Sequence, residues 1–166
     1  MASEMYLKFD PEVKGESTKA GYEGWIEVLS AGWGVMNPST ISAGAGAGAG
    51  MADFSTLSVM CNMDAATVFL MKKSCEGTHF TKATLEMREA GGASPVVYWK
   101  QEMHLVFVDS VQFSGAGGGG KPTVSLSLNV GAVELTYNEQ KADGSATKHG
   151  PIQWSVKKNN SSTDVS

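Results

Sequence analysis

Thr123-Val124-Ser125-Leu126-Ser127-Leu128-Asn129-Val130 decides the fold. Four aliphatic residues alternate with four polar ones, the two-residue period of a strand with one buried and one solvated face. At Gly131 the phase slips by one, and Val133, Leu135 and Tyr137 take the inward positions. A one-residue slip at glycine marks a bulge or tight turn. Upstream, from Val97 to Phe113, apolar residues favour the odd positions, with Val106 and Val108 out of phase. That pattern predicts one long half-buried strand, or two joined by a bend. From His79 to Glu89, Ala83, Leu85 and Met87 alternate with Lys82, Thr84, Glu86 and Arg88. Shorter strand-like runs lie further out, at Met5 to Phe9, Tyr22 to Ser30, Met51 to Met60 and around Ile152 and Trp154.

One segment has helical spacing. From Asn62 to Glu76, Ala65, Val68, Phe69 and Lys72 recur at intervals of three and four, and Leu70 and Met71 widen the apolar face. Asn62 or Asp64 can cap the start, and Gly77 can end the helix in the left-handed conformation. The breaks between elements are rich in glycine. Gly32 and Gly34 around Trp33 predict a bend; 10–21, 115–120 and 138–150 read as loops. The alternating Ala/Gly tract from Ala43 to Gly50 reads as a mobile loop, because it has no side chain large enough to anchor it and glycine loses much entropy on ordering. Many strands with one helix predict a mainly β chain: a β-barrel of two packed antiparallel sheets with one flanking α-helix. Residues 1–157 form a single domain in this reading, and 158–166 a flexible C-terminal tail.

Composition bounds the function. Hydrophobic residues at 42% and charged residues at 18% suit a folded chain. A net charge of −4 without a lysine and arginine cluster argues against nucleic-acid binding. No apolar run reaches the length of about 18 residues that insertion in a membrane requires. The first ten residues carry Glu4 and no apolar run after a basic start, so they do not read as a secretory signal peptide. The expectation is a cytoplasmic protein, with any export proceeding without a cleaved signal. Cys61 and Cys75 read as free thiols.

The chain offers little chemistry. His79, His104 and His149 show no metal-ligand spacing, and no G-x-S-x-G elbow is present. The run from Gly115 to Gly120 with Lys121 imitates a phosphate loop. However, Pro122 stands where a hydroxyl would be needed, and a strand follows where a helix should. No catalytic residue, metal ligand or cofactor is assigned, and the chain reads as a non-enzyme. A small ligand-binding β-barrel module, holding its ligand at the barrel mouth, is the alternative.

Several stretches, in order, resemble the haemolysin-coregulated protein family: Met5-Tyr6-Leu7-Lys8-Phe9, Val13-Lys14-Gly15-Glu16-Ser17, and Trp25-Ile26-Glu27-Val28-Leu29-Ser30 followed by Trp33-Gly34. Phe80 to Arg88 with Gly91-Gly92, then Pro122, Ser125, Ser127-Leu128-Asn129 and Tyr137, continue the likeness from about Met5 to Lys157. The resemblance implies the tube protein of a type VI secretion system: a homo-hexameric ring whose rings stack into an inner tube. A contractile sheath drives that tube, behind a spike protein, into a target cell, and effector proteins ride within the ring. Lys14, Gly15, Glu16 and Ser17 are, by this resemblance, subunit or ring-stacking contacts. Related sequences carry Trp-Ser-Trp-Gly where this chain has Ala31-Gly32-Trp33-Gly34, which makes Gly32 the lumen-facing candidate.

Overall fold

The computed structural model describes residues 2–39, 50–92 and 94–166. Apart from Gly50, the Ala/Gly tract lies outside the described residues. The elements follow as β1 (Ser3–Asp10), β2 (Ile26–Gly32), β3 (Val35–Met36), β4 (Asp53–Phe54), β5 (Leu57–Asn62), α1 (Ala66–Glu76), β6 (His79–Glu89), β7 (Val97–Ser114), β8 (Thr123–Gln140) and β9 (Ala146–Ser155).

Seven strands form one antiparallel sheet in the order β5-β2-β1-β6-β7-β8-β9, and β5 also pairs with β8. That extra pairing closes the first six into a barrel and leaves β9 outside it as a wing. The two walls of the expected barrel are therefore two halves of one continuous sheet. A small ribbon, β3-β4, stands apart.

The closure depends on β8. Its first part, Thr123 to Leu128, pairs with β5, and its second, from Ala132 onward, pairs with β9, while β7 runs along both. The slip seen in sequence lies at this junction. Gly131 is neither a turn nor the end of a strand; β8 runs through it. Across from it Leu105 adopts a left-handed φ of 53°. Both strands change phase here together: Met103 pairs with Val133 on one side, and Val106 with Val130 on the other. All four are buried. This explains why Val106 and Val108 fall out of the odd-position pattern. The β7–β8 register itself is unbroken at this junction; it shifts between Val108 and Ser110, and Val111 packs against the core.

Leu7, Phe9, Ile26, Leu57, Phe80, Leu85, Met103 and Leu128 fill the barrel, with the Phe9 and Phe80 rings 4.5 Å apart. Burying each such side chain contributes about 1.5–3 kcal/mol.

Several boundaries differ from expectation. The strand expected from Tyr22 starts at Ile26, because Tyr22 to Trp25 are taken up by a turn in which the Trp25 N–H donates to the Tyr22 carbonyl at 3.1 Å. The run from Met51 to Met60 is divided between β4 and β5. The helix starts at Ala66; Asn62 ends β5 instead, and the Asp64 carboxylate accepts the Ala66 N–H at 3.0 Å. Its buried face is Ala66, Thr67 and Leu70, whereas Val68 and Phe69 are 64% and 56% exposed. Apolar residues nearly surround this helix, so spacing alone could not choose the face. The expected loop from 138 to 150 is mostly strand, because β8 and β9 extend as a hairpin with its turn at Lys141 to Ser145. A two-stranded extension solvated on both faces shows no apolar alternation. Tyr137, expected to point inward, is 45% exposed on this wing, and Ile152 is 67% exposed there.

Residues 158–166, expected as a flexible tail, fold back on the barrel. The Ser155 hydroxyl donates to the Asp164 carbonyl at 2.7 Å, the Lys157 ammonium donates to the Val165 carbonyl at 3.0 Å, and Val165 sits over Gly131. Both cysteines are free; Cys61 is buried and Cys75 exposed.

Candidate functional site

The segment between β1 and β2 carries Lys14 to Ser17. The Gly15 N–H donates to the Gly24 carbonyl at 2.8 Å, Gly24 N–H to the Ser17 carbonyl at 2.9 Å, and Ser17 N–H to the Trp25 carbonyl at 3.2 Å. Residues 15–17 therefore run against 24–25 as a narrow ribbon. Gly15 is required by space. A Cβ built there would stand 2.7 Å from the Trp25 carbonyl carbon and 2.8 Å from the Ile26 nitrogen, closer than side chains approach backbone.

The ribbon lies on the outer face of β1 and β6. Tyr22 stacks on Tyr6 at 4.3 Å, and its hydroxyl donates to Glu86 at 2.7 Å. Burial and the Glu86 carboxylate raise the Tyr22 pKa well above its ordinary value. Arg88, only 7% exposed, lies 4.8 Å from the Tyr22 ring and 5.6 Å from Tyr6, and its Nε donates to Glu4 at 2.9 Å. Lys19 reaches the other oxygen of the same carboxylate at 3.0 Å. Lys19 and then Arg88 hold the Glu4 carboxyl below the usual range, against the opposing effect of its partial burial. At the other end, Glu16 pairs with Lys121 at 2.8 Å, tying the ribbon to the loop before β8.

Of the four residues expected at a contact surface, Lys14 and Glu16 are exposed and Gly15 is partly covered. Ser17 is 4% exposed, because its backbone bonds to residues 24–25 and its hydroxyl accepts the Lys19 N–H at 3.3 Å. It shapes the ribbon rather than presenting a side chain. Sequence reading missed Glu4, Tyr22 and Arg88. Arg88 sits on the outward phase of β6, where a charged residue looks like an ordinary solvated one. Only the ribbon folding over it makes it buried, and no local pattern reports that.

Gly32 lies elsewhere, at the end of β2, paired with Ser58. It is exposed, and a Cβ there would meet nothing within 4 Å. With Ser30, Ser58, Met60, Gln112, Ser125 and Ser127 it lines a shallow basin of about 510 Å³ on the outside of β2, β5, β8 and β7. None of these lining residues is charged. The outer face of β1, β6 and the start of β7 is the opposite: Lys8, Lys82, Glu86, Lys100 and Glu102 crowd it, with Lys82 paired to Glu102 and Lys100 lying 3.8 Å from Glu86. Among the described residues, the exposed large apolar side chains include Val35, Met36 and Met51 in or just before the β3-β4 ribbon, Val68 and Phe69 on α1, and Tyr137 and Ile152 on the wing.

Among the described residues, no group of three or more His, Cys, Asp or Glu side chains is placed to hold a metal ion, and no helix is long and apolar enough to cross a membrane.

Known proteins share this architecture. The chain is 35% identical over 161 residues to protein hcp1 of Pseudomonas aeruginosa, covering 96% of this chain and 98% of that one. A solved type six secretion system protein is 34% identical, with a TM-score of 0.89 over 96% of this chain and 99% of the other. Hcp1 of Salmonella typhimurium is 28% identical, with a TM-score of 0.76 over 96% and 98%. The family model of the type VI secretion system effector Hcp matches residues 6–137. With the family model matching residues 6–137 and a relative 35% identical over 96% of the chain, this protein belongs to the Hcp family of type VI secretion.

Proposed function

We propose that this chain is the building block of a type VI secretion inner tube. Six copies close a ring, rings stack, and the tube is exported with effectors held or chaperoned in its lumen. The role is structural, not catalytic. The chain is made in the cytoplasm and is exported from it as part of the tube. Its partners are further copies of itself, the spike protein, the contractile sheath and effector proteins. Residues 1–157 act as the single tube domain.

The observation that carries this reading is the set of uncovered apolar patches on different elements. A ring of identical subunits needs a heterologous contact, in which one surface meets a different surface of the next copy. The ribbon patch at Val35, Met36 and Met51 and the wing patch at Tyr137 and Ile152 supply such unlike surfaces. Lys14, Gly15 and Glu16 add polar contacts, with Ser17 shaping their backbone. The uncharged basin around Gly32 suits a lumen wall, since a wall without fixed charge neither repels nor traps cargo of either sign. The barrel interior is filled by its own side chains, which argues against a ligand held inside it.

Native mass spectrometry with negative-stain imaging tests the reading. A mass of six subunits and a hollow ring support it; a chain that remains monomeric at high concentration overturns it.

A further inference from the structure

The charged cluster beneath the ribbon is unusual for its place. Arg88 is buried on the outside of the barrel, where apolar packing could have held the ribbon instead. A buried ion pair is weak evidence for stability, because desolvation offsets much of the attraction. Its better-attested use is to specify one arrangement out of several. The geometry here is specific in that sense. The guanidinium faces Tyr6 and Tyr22 together, and Glu4 receives Arg88 on one oxygen and Lys19 on the other. Tyr22 and Lys19 belong to the ribbon, whereas Tyr6, Glu4 and Arg88 belong to the barrel. The contacts therefore lock the ribbon to the barrel at two points, and the backbone bonds from Gly15 and Ser17 to residues 24–25 carry that position to Lys14 and Glu16.

We infer that Arg88 is a positioning residue for assembly: held by Glu4 and packed against Tyr6 and Tyr22, it fixes the one ribbon conformation in which Lys14 and Glu16 can meet a neighbouring copy. This rests on the ring reading above. Arg88 touches no neighbour itself; it acts through the ribbon.

The test compares the parent with Arg88→Met, which keeps a long packing stem, and Arg88→Lys, which keeps the charge. Hydrogen exchange reports the ribbon amides of Gly15, Ser17 and Gly24, and sedimentation velocity across a dilution series reports assembly. Arg88→Met is expected to keep a folded barrel, to speed ribbon exchange, and to weaken assembly by about tenfold, as follows if the competent ribbon falls to roughly a tenth of the population. Arg88→Lys should recover part of both effects. A purely structural role would lower the unfolding midpoint without altering the ribbon amides selectively. If Arg88→Met fails to fold, Lys19→Met, a change at an exposed side chain, takes its place with the same expected direction. Rings formed by the variant as readily as by the parent overturn this inference alone. A parent that stays monomeric overturns the ring reading and this one with it.

Discussion

Replacing Gly15 by alanine adds a single methyl group, and the structure says where it goes. The new carbon would lie 2.7 Å from the Trp25 carbonyl carbon and 2.8 Å from the Ile26 nitrogen. Ordinary van der Waals contact begins near 3.4 Å, so backbone must move by several tenths of an ångström, and neither side can yield as a flexible side chain would. Two outcomes are open to the chain. It absorbs the crowding, which costs about 1–3 kcal/mol for an overpacked site. Otherwise residues 15–17 lift away from 24–25, losing the Gly15–Gly24, Gly24–Ser17 and Ser17–Trp25 hydrogen bonds, each worth about 1 kcal/mol net. Both routes converge on about 2–3 kcal/mol, or a fall of roughly 4–12 °C in Tm for a domain of this size. The assay is thermal unfolding of parent and variant in the same assembly state, because assembly itself shifts the midpoint. Gly32→Ala is the control, since its Cβ meets nothing within 4 Å and its backbone is extended. Gly21→Ala separates steric from conformational cost: its surroundings are open but its φ is +84°, so it should lose about 1–2 kcal/mol through left-handed strain alone. If Gly15→Ala unfolds at the same temperature as Gly32→Ala, the steric account of this position is wrong.

Other consequences can be checked. Phe80→Ala removes a fully buried ring packed on Phe9 and should cost about 3–5 kcal/mol, read from denaturant midpoints at unchanged m-value. A thiol reagent should add one adduct to the native chain, at Cys75, and a second only on unfolding, when Cys61 is released; two adducts at once on the native chain would contradict the buried position. Burial pushes the Cys61 thiol up to about 11 from 9.0. The folded chain therefore holds that proton where the unfolded chain has lost it. The Cys61 contribution is fully present below pH 9 and falls away between pH 9 and 11, and a Cys61→Ala variant should show a flatter decline of stability over that window. Gly32→Ser restores a polar side chain at the basin rim; it should leave the unfolding midpoint within about 0.5 kcal/mol of the parent, as at an unobstructed surface site.

What was legible in the sequence followed from period. Alternation in Thr123 to Val130 and His79 to Glu89 gave strands whose inward residues face the barrel core: Val124, Leu126, Leu128, Val130, Ala83 and Leu85 are buried, and Met87, next to the register shift at Arg88, is partly buried. Period failed where burial is not one-sided. On α1 the apolar residues wrap most of the circumference, and the choice between Val68-Phe69 and Ala66-Leu70 is made by the packing of the helix against β7. On the β8-β9 extension both faces are solvated, so strands there look like loop. The ribbon site was half visible. Gly15 and its charged neighbours stood out through resemblance, whereas Arg88 could not, since its burial comes from a segment more than sixty residues away in the chain folding across it.

The phase slip links these levels. Without it, the inward phase of Leu126, Leu128 and Val130 would continue to Ala132, Glu134 and Thr136, and a carboxylate would enter the core. With Leu105 and Gly131 slipping opposite one another, Val133 and Leu135 turn inward, while Glu134 turns outward, where it accepts a hydrogen bond from Gln153 at 2.7 Å. The pairing stays inner residue to inner residue because both strands slip at the same place. Leu105 then lies across Gly131, so that a Cβ there would sit 3.0 Å from its side chain and 3.1 Å from Val165. At this corner β8 exchanges β5 for β9 as its neighbour, which turns a closed barrel into a barrel with a wing. The wing carries Tyr137 and Ile152 into solvent. One matched irregularity in two strands therefore closes the core and, in the same step, exposes an apolar surface that the barrel alone would have kept inside.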